Sequence, residues 1–186
     1  MNAWTLDVAP DLVTVVRPVA WLSGPLQVVE RDPRMDGPLT DACAAMRERP
    51  EPADTIAATR TMYKRMGVDP TKTRPSSEAL LRRIRRGDPL PRVNSAVDVI
   101  NWTSLETQLS FGVYDADKIS GPVTLRRGRP DESYDGIRKD TVHVAGRLTL
   151  VDSQGPFGNP TSDSARTMVT TQARNLLVVI FVPADL

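Results

Sequence analysis

The residue types best suited to chemistry are gathered in one polar run, Gly155-Pro156-Phe157-Gly158-Asn159-Pro160-Thr161-Ser162-Asp163-Ser164-Ala165-Arg166-Thr167. Its glycines would let backbone approach a ligand closely, its hydroxyls and Asp163 could bond sugar or water, and Arg166 could meet a phosphate or a carboxylate. Polar loops of this length in compact domains are more often functional than accidental, the other reading being a surface loop tied down by its own side-chain turns. A second concentration is electrostatic. From Arg60 to Arg92 the basic residues Arg60, Lys64, Arg65, Lys72, Arg74, Arg82, Arg83, Arg85, Arg86 and Arg92 stand against only Asp69, Glu78 and Asp88. That surface could hold phosphates, or could be a solvated helix face balanced by the acidic stretch containing Glu30, Asp32, Asp36 and Asp41. The net charge of +1 gives no reason to expect generic nucleic-acid binding, DNA included.

Several chemistries are set aside by what the chain lacks. It has one cysteine, Cys43, and one histidine, His143. An intrachain disulfide and the common zinc arrangements are therefore excluded. A Ser-His-Asp or Cys-His centre would need His143, yet Thr141-Val142-His143-Val144 resembles neither a nucleophile elbow nor a base with an orienting acid. The alternation of Val142 and Val144 makes His143 an outward-facing or satisfied strand residue instead. Asp115 and Asp117 could be imagined around a divalent ion, but side chains alternate across a strand, so no metal and no cofactor is expected. No stretch approaches the roughly 20 apolar residues of a membrane helix, and Met1-Asn2-Ala3-Trp4 lacks the basic start and apolar run of a secretory signal, so the expected location is the cytoplasm.

The elements that must position these groups follow from periodicity and punctuation. With 40% hydrophobic and 25% charged residues, the 186-residue chain has the composition of an ordinary globular protein, and its 16 prolines predict short elements with tight connections. Leu12 to Val16 and Leu26 to Val29 read as two buried strands. Leu39 to Arg49 reads as a helix stopped by Pro50-Glu51-Pro52. A second helix is expected with Asp54 as its N-cap and Gly67 as its left-handed stop, and a third from Ser76, where a serine oxygen caps free amides and Leu80, Leu81 and Ile84 turn inward while Arg82, Arg83, Arg85 and Arg86 face out. The stretch from Ser95 to Leu105 is expected to be helical, with Asp98 and Asn101 on one face as structural polar groups that tie helix to loop. Phe111 to Tyr114 and Val123 to Arg127 read as strands joined in a hairpin by Lys118-Ile119-Ser120-Gly121. Val142 to Val144, Leu148 to Val151 and Leu176 to Val182 read as further strands, the last a central one. The fold expected is α+β: one compact domain, residues 1–186, with a mixed sheet flanked by several short helices.

Val93-Asn94-Ser95-Ala96-Val97-Asp98-Val99-Ile100-Asn101, followed by Gly112-Val113-Tyr114-Asp115-Ala116-Asp117-Lys118-Ile119, resembles the core signature of the B3/B4 editing domain of the phenylalanyl-tRNA synthetase β subunit. In that family a Val-Asp-Val-x-Asn helix precedes an Ala-Phe-Asp-x-Asp-Arg-Ile strand. Arg74 to Arg83 and the loop Gly158 to Thr167 look like the free-standing branch of the same family. The resemblance spans roughly Tyr63 to Val182, which makes residues 56–183 the editing-like core and 1–55 an N-terminal segment of strands and helix.

The resemblance implies water attack on an aminoacyl ester at the 3′ end of a tRNA, a reaction that needs positioning, an oriented water and donors for the developing oxyanion more than a strong base. It implies a site between the helix beginning at Ser76, the strand from Gly112 to Asp115 and the loop from Asn159 to Thr167. There Arg74, Arg82 and Arg166 would meet phosphates, Asn159 and Thr161 would position the terminal adenosine or water, and Asp163 would orient that water. Ser76, Ser77, Glu78, Gly112, Tyr114, Asp115 and Thr167 would complete the substrate contacts. Two positions depart from the family. Gly112 stands where many synthetase domains have histidine, and Ala165 stands near a glutamate associated with reading the hydroxyl of tyrosine, so tyrosine specificity does not carry over. The aminoacylation motifs are missing, so charging of tRNA is not expected. A non-catalytic RNA- or protein-binding module and a hydrolase of small amino-acid esters are the other readings.

Overall fold

Proline and glycine set the limits of the helices. A computed structural model describes residues 5–137 and 141–186, so the reading of Met1 to Trp4 lies outside the described residues. Helix α1 (Asp36–Glu48) buries Leu39, Ala42, Cys43 and Met46, one stripe at helical spacing, and stops ahead of Pro50. Helix α2 (Ala53–Arg65) buries Thr59, Met62 and Tyr63. It ends before Gly67, whose φ of +68° turns the chain. Pro52 holds the cap position of α2 without a side-chain bond, and Asp54 lies inside the first turn, where its charge meets the positive end of the helix dipole.

Helix α3 (Ser76–Arg85) differs from expectation at its start. Pro75 occupies the cap position, with no side chain capping the first amides. Its core stripe is Ser77, Glu78, Leu81 and Ile84. Helix α4 (Ser95–Thr107) is capped by Asn94, whose Oδ1 accepts from the Val97 amide at 3.0 Å, and it ends at Gln108 in the left-handed region at φ 58°. Leu39, Cys43, Met46, Leu81, Ile84, Leu90 and Leu105 join α1, α3 and α4 in one apolar cluster.

The strands are β1 (Leu6–Val8), β2 (Val16–Ser23), β3 (Ser110–Asp115), β4 (Val123–Arg127), β5 (Ser133–Asp135), β6 (Thr141–His143), β7 (Leu148–Asp152), β8 (Gly155–Gly158) and β9 (Leu176–Pro183). They form a three-stranded sheet ordered β2-β9-β3, a four-stranded sheet ordered β1-β4-β7-β8 and a β5-β6 ribbon. The first is antiparallel throughout. In the second, β1 runs parallel to β4 while the other pairs are antiparallel, which makes it a mixed sheet. The apolar segment Leu176–Pro183 is the central strand of its sheet, as its composition suggests. Tyr114, Phe157, Leu125, Leu150, Leu177 and Phe181 fill the main core, with Met62 and Tyr63 of α2 packed among them. The architecture is α+β.

Three strand expectations fail. β3 and β4 are not a hairpin: β3 pairs with β9, while β4 lies between β1 and β7. Pro10–Leu12 is a 3-10 turn and β2 begins only at Val16. Leu26 to Val29 belongs to no strand; it is held by Leu26 donating to the Arg174 carbonyl and Ser95 donating to the Val29 carbonyl, each at 2.9 Å. Leu12, Val15, Val16 and Val28 are all buried, so the apolar, β-branched composition of these stretches reported burial and not strand pairing.

Candidate substrate cleft

The beginning of α3, the beginning of β3 and the loop after β8 converge with α4 on a cavity of about 210 Å³. Leu80, Ile100, Phe111, Ile137 and Pro160 give it apolar walls, and Ser76, Asn101, Ser104, Asn159, Thr161, Ser162 and Asp163 supply its polar atoms. Those polar groups are engaged very unequally. Ser76 Oγ is sealed from solvent and has no hydrogen-bond partner. The Asn101 carboxamide makes no hydrogen bond among the described residues, so the helix-to-loop tie expected of it is not formed, and it faces the cavity. Ser104 donates to the Leu109 carbonyl at 2.7 Å.

Asn159 is spent on the loop itself. Its Oδ1 accepts from the amides of Thr161 at 2.8 Å and Ser162 at 2.9 Å, an Asx turn, while its Nδ2 donates to the Tyr134 hydroxyl at 2.9 Å. Tyr134 in turn donates to the Ser162 carbonyl. On the other side the Tyr63 hydroxyl donates to the Pro160 carbonyl at 3.0 Å and lies 3.1 Å from Thr161 Oγ1. Two phenols from outside the loop therefore staple it in place. Sequence reasoning did not assign this role to Tyr63 or Tyr134, although the Asn-Pro-Thr-Ser stretch carries the signature of the Asx turn they secure.

Behind the cavity wall sits Tyr114, with none of its surface exposed. Its ring meets Phe157 edge-on, 5.0 Å between centroids at 89°. A Cβ at Gly112 would lie 2.1 Å from the Tyr114 hydroxyl, and one at Gly158 would lie 2.4 Å from it. Asp163 pairs with Gly158 across an isolated antiparallel bridge. Burial first, and then the Asp163 charge, push both the Tyr114 and Tyr134 phenols up.

The other sequence-predicted residues lie elsewhere. Ser77 is buried beneath α3. Glu78 is 7% exposed and accepts two bonds from Arg60, at 2.8 and 2.7 Å, and one from Arg74 at 3.2 Å. The Arg60 guanidinium holds its carboxyl below the usual range against the effect of burial. Arg74 and Arg82, together with Arg85, Arg86 and Glu51, line a separate groove of about 540 Å³. Arg166 does not reach the cavity: it grips Asp152 with two 2.9 Å bonds, donates to the Lys118 carbonyl at 3.0 Å and lies 5.7 Å from the Phe157 ring centroid. Asp115 is buried, accepts from the Asp117 amide at 3.3 Å and lies 3.6 Å from the Lys118 ammonium. Its own amide donates to the carbonyl of Thr167, whose hydroxyl is buried 3.1 Å from that of Ser164. Asp98 is structural: Arg92 binds it at 2.6 Å and the Val93 amide at 2.8 Å. His143 is exposed on β6, and Cys43 lines a third cavity beside α1. Among the described residues there is no group of three or more His, Cys, Asp or Glu that could hold a metal ion, and no helix is long and apolar enough to cross a membrane.

Fold and site together define an α+β domain that encloses a small, partly polar cleft between two helices, a strand and a stapled loop. The chain belongs to the B3/4 domain family, whose model matches residues 58–185. It is similar to the phenylalanine–tRNA ligase beta subunit of Ralstonia nicotianae, 30% identical over 88 residues that make up 46% of this chain and 11% of that protein. It is likewise similar to the beta subunit of Neisseria meningitidis serogroup B, 29% identical over 91 residues, 44% of this chain and 12% of that one. The chain thus matches only about a tenth of the length of these relatives. Among solved structures, an N-terminal fragment of the phenylalanyl-tRNA synthetase beta subunit from Pyrococcus horikoshii aligns with a TM-score of 0.46 and 14% identity, over 97% of this chain and 43% of that one.

Proposed function

We propose that this protein binds the aminoacylated 3′ end of a tRNA and hydrolyses the ester of a mischarged amino acid in trans, acting in the cytoplasm. The observation that carries this reading is the division of labour on α3. Ser76 and Leu80 face the cleft, while Ala79, Arg82 and Arg86 face the basic groove. At 100° per residue, residues of the two faces lie about 60–160° apart around the helix axis, with the centres of the faces about 110° apart. A single-stranded 3′ end could lay its phosphates along the arginines and turn its esterified ribose into the cleft.

The cleft's inventory suits an activated ester. Asp163 orients the attacking water, while the first-turn amides of α3, which lack helical partners, offer donors to the oxyanion. Asn101 offers an uncommitted amide to the ribose or the α-amino group. The apolar walls accept the amino-acid side chain. A second reading, an RNA-binding module without turnover, is favoured by the internal engagement of Asn159, Thr161 and Arg166 and by the absence of His143 from the cleft.

Incubation of the protein with a panel of tRNAs charged with labelled, mismatched amino acids separates the readings. Release of amino acid from particular tRNAs supports deacylation. Retention in a gel shift without release selects the binding module. Cleavage of free aminoacyl esters with indifference to tRNA would point to a small-ester hydrolase and end the tRNA reading.

A further inference from the structure

We infer that the Glu51 carboxylate is a built-in competitor for RNA phosphate: it occupies, at Arg85, a place in the arginine groove of α3 that a backbone phosphate of a single-stranded RNA takes by displacing it. The inference adds regulation to that groove and rests on the proposed path of the 3′ end for its ligand, but not on hydrolysis.

Four arginines, Arg74, Arg82, Arg85 and Arg86, line the groove, and Glu51 is the one acid among its lining residues. A neighbouring hollow of about 270 Å³ shares Glu51 and Arg82 with the groove, so these two side chains mark the boundary between them. The position of Glu51 is set by the chain around it. Pro50 and Pro52 flank it in the connector between α1 and α2, and a residue before proline is held in extended backbone. The Ala53 amide donates to the Glu51 carbonyl at 2.8 Å. Arg85, the last residue of α3, reaches the connector from the other side: one Nη donates to the Glu51 carboxylate and the other to the Arg49 carbonyl at 3.0 Å. The backbone beneath Glu51 is thus fixed, while its side chain is 59% exposed.

A guanidinium fork that receives a carboxylate receives a phosphate in the same geometry. Exposed ion pairs contribute little to stability, so exchanging one acid for the other costs little. The Glu51 side chain can turn into solvent with no movement of the backbone. The other nearby acid cannot do the same, because Glu78 is 7% exposed and held by Arg60 and Arg74. An incoming strand can use Arg82 and Arg86 as they stand, and gains Arg85 only by turning Glu51 out.

The test measures binding of a labelled single-stranded RNA oligonucleotide across a salt series to wild-type protein and to Glu51→Gln. Asp7→Asn, an exposed change of the same charge on β1, is the control. Glu51→Gln is expected to tighten binding about threefold at low salt and to steepen the slope of log affinity against log salt by about 0.7, with urea unfolding nearly unchanged and Asp7→Asn behaving as wild type. In an Arg85→Ala background the gain is expected to disappear, because no fork is left to release. Unaltered affinity in Glu51→Gln, the same gain in Asp7→Asn, or a full gain without Arg85 each overturns the inference. Tighter binding of inorganic tripolyphosphate with none of RNA overturns it as well, since the groove would then take free polyphosphate. Hydrolysis is decided separately: a wild type that releases no amino acid from any charged tRNA ends the deacylase reading and leaves these binding outcomes standing, whereas an overturned competitor leaves the charged-tRNA assay untouched.

Discussion

Asp152 is a carboxylate with no exposed side-chain surface, and Arg166 is the cation that keeps it there. Burial pushes its carboxyl up, but the Arg166 guanidinium and the amides of Ser120 and Gln154 outweigh that and leave it below the usual range. A depressed carboxyl adds stability above its unfolded pKa and loses it as pH falls through the folded value. Arg166→Ala leaves the charge buried with two amides for partners and is expected to cost about 3 kcal/mol at pH 7. Urea denaturation from pH 7 to pH 3 checks both claims: the deficit of the variant should shrink below about pH 4 as Asp152 takes up its proton in either protein. A constant deficit across that range would mean that Arg166 stabilises by packing on Phe157 alone. From residue type, Arg166 could serve a phosphate or a carboxylate; the partner it has is its own chain's Asp152, and the 14-residue separation of the two says nothing of their contact. Gly112 teaches a related lesson. That the position is a glycine is visible in the sequence, but the reason, a tyrosine ring folded back over it, exists only once the ring's direction is known.

At the scale of elements, the helices were legible and the strand pairings were not. Pro50 and Pro52 separate the end of α1 from the start of α2, and Pro75 and Pro89 bracket α3, each within a few residues of a helix end. β3 and β4 read equally well as strands, but their partners β9 and β7 lie far along the chain, and local turn residues between two strands cannot rule out that each joins a different sheet. The connection from β4 to β5 offers a test of element-level electrostatics. Arg126 binds Glu132 at 2.8 and 2.6 Å, and the Arg129 amide adds a bond at 2.8 Å. The Arg126 bonds come first among the causes that bring the Glu132 carboxyl down to about 2. Its stabilising effect is therefore complete above the unfolded glutamate value, near 4.5, and disappears as pH approaches 2. Glu132→Gln is expected to lower stability by about 1 kcal/mol at neutral pH, screening by solvent included, and by progressively less in acid. Thermal melts at pH 7 and pH 3 read that difference directly; equal losses at both would deny the carboxylate its part.

For the molecule as a whole, a net charge of +1 means that little long-range attraction draws RNA in, so any affinity must come from the local groove on α3. Of its arginines, Arg74 is tied to Glu78 and Arg85 to Glu51, whereas Arg86 reaches its nearest acid, Asp88, only at 3.7 Å and with both groups well exposed. The Arg82 guanidinium makes no hydrogen bond to another described residue. Arg82 and Arg86 are thus the guanidiniums most available to phosphate. For a single strand, each neutralised phosphate contributes about 0.7 to the slope of log affinity against log salt. Replacing both by alanine is then expected to reduce that slope by about 1.4 and to weaken tRNA binding severalfold at low salt. KM for charged tRNA should rise with kcat preserved, because neither side chain reaches the cleft, and cleavage of a small aminoacyl ester should be untouched. Filter binding across a salt series provides the slope. An unaltered slope in the double variant would move the RNA off α3 and break the link between groove and cleft on which the proposed path of the 3′ end depends.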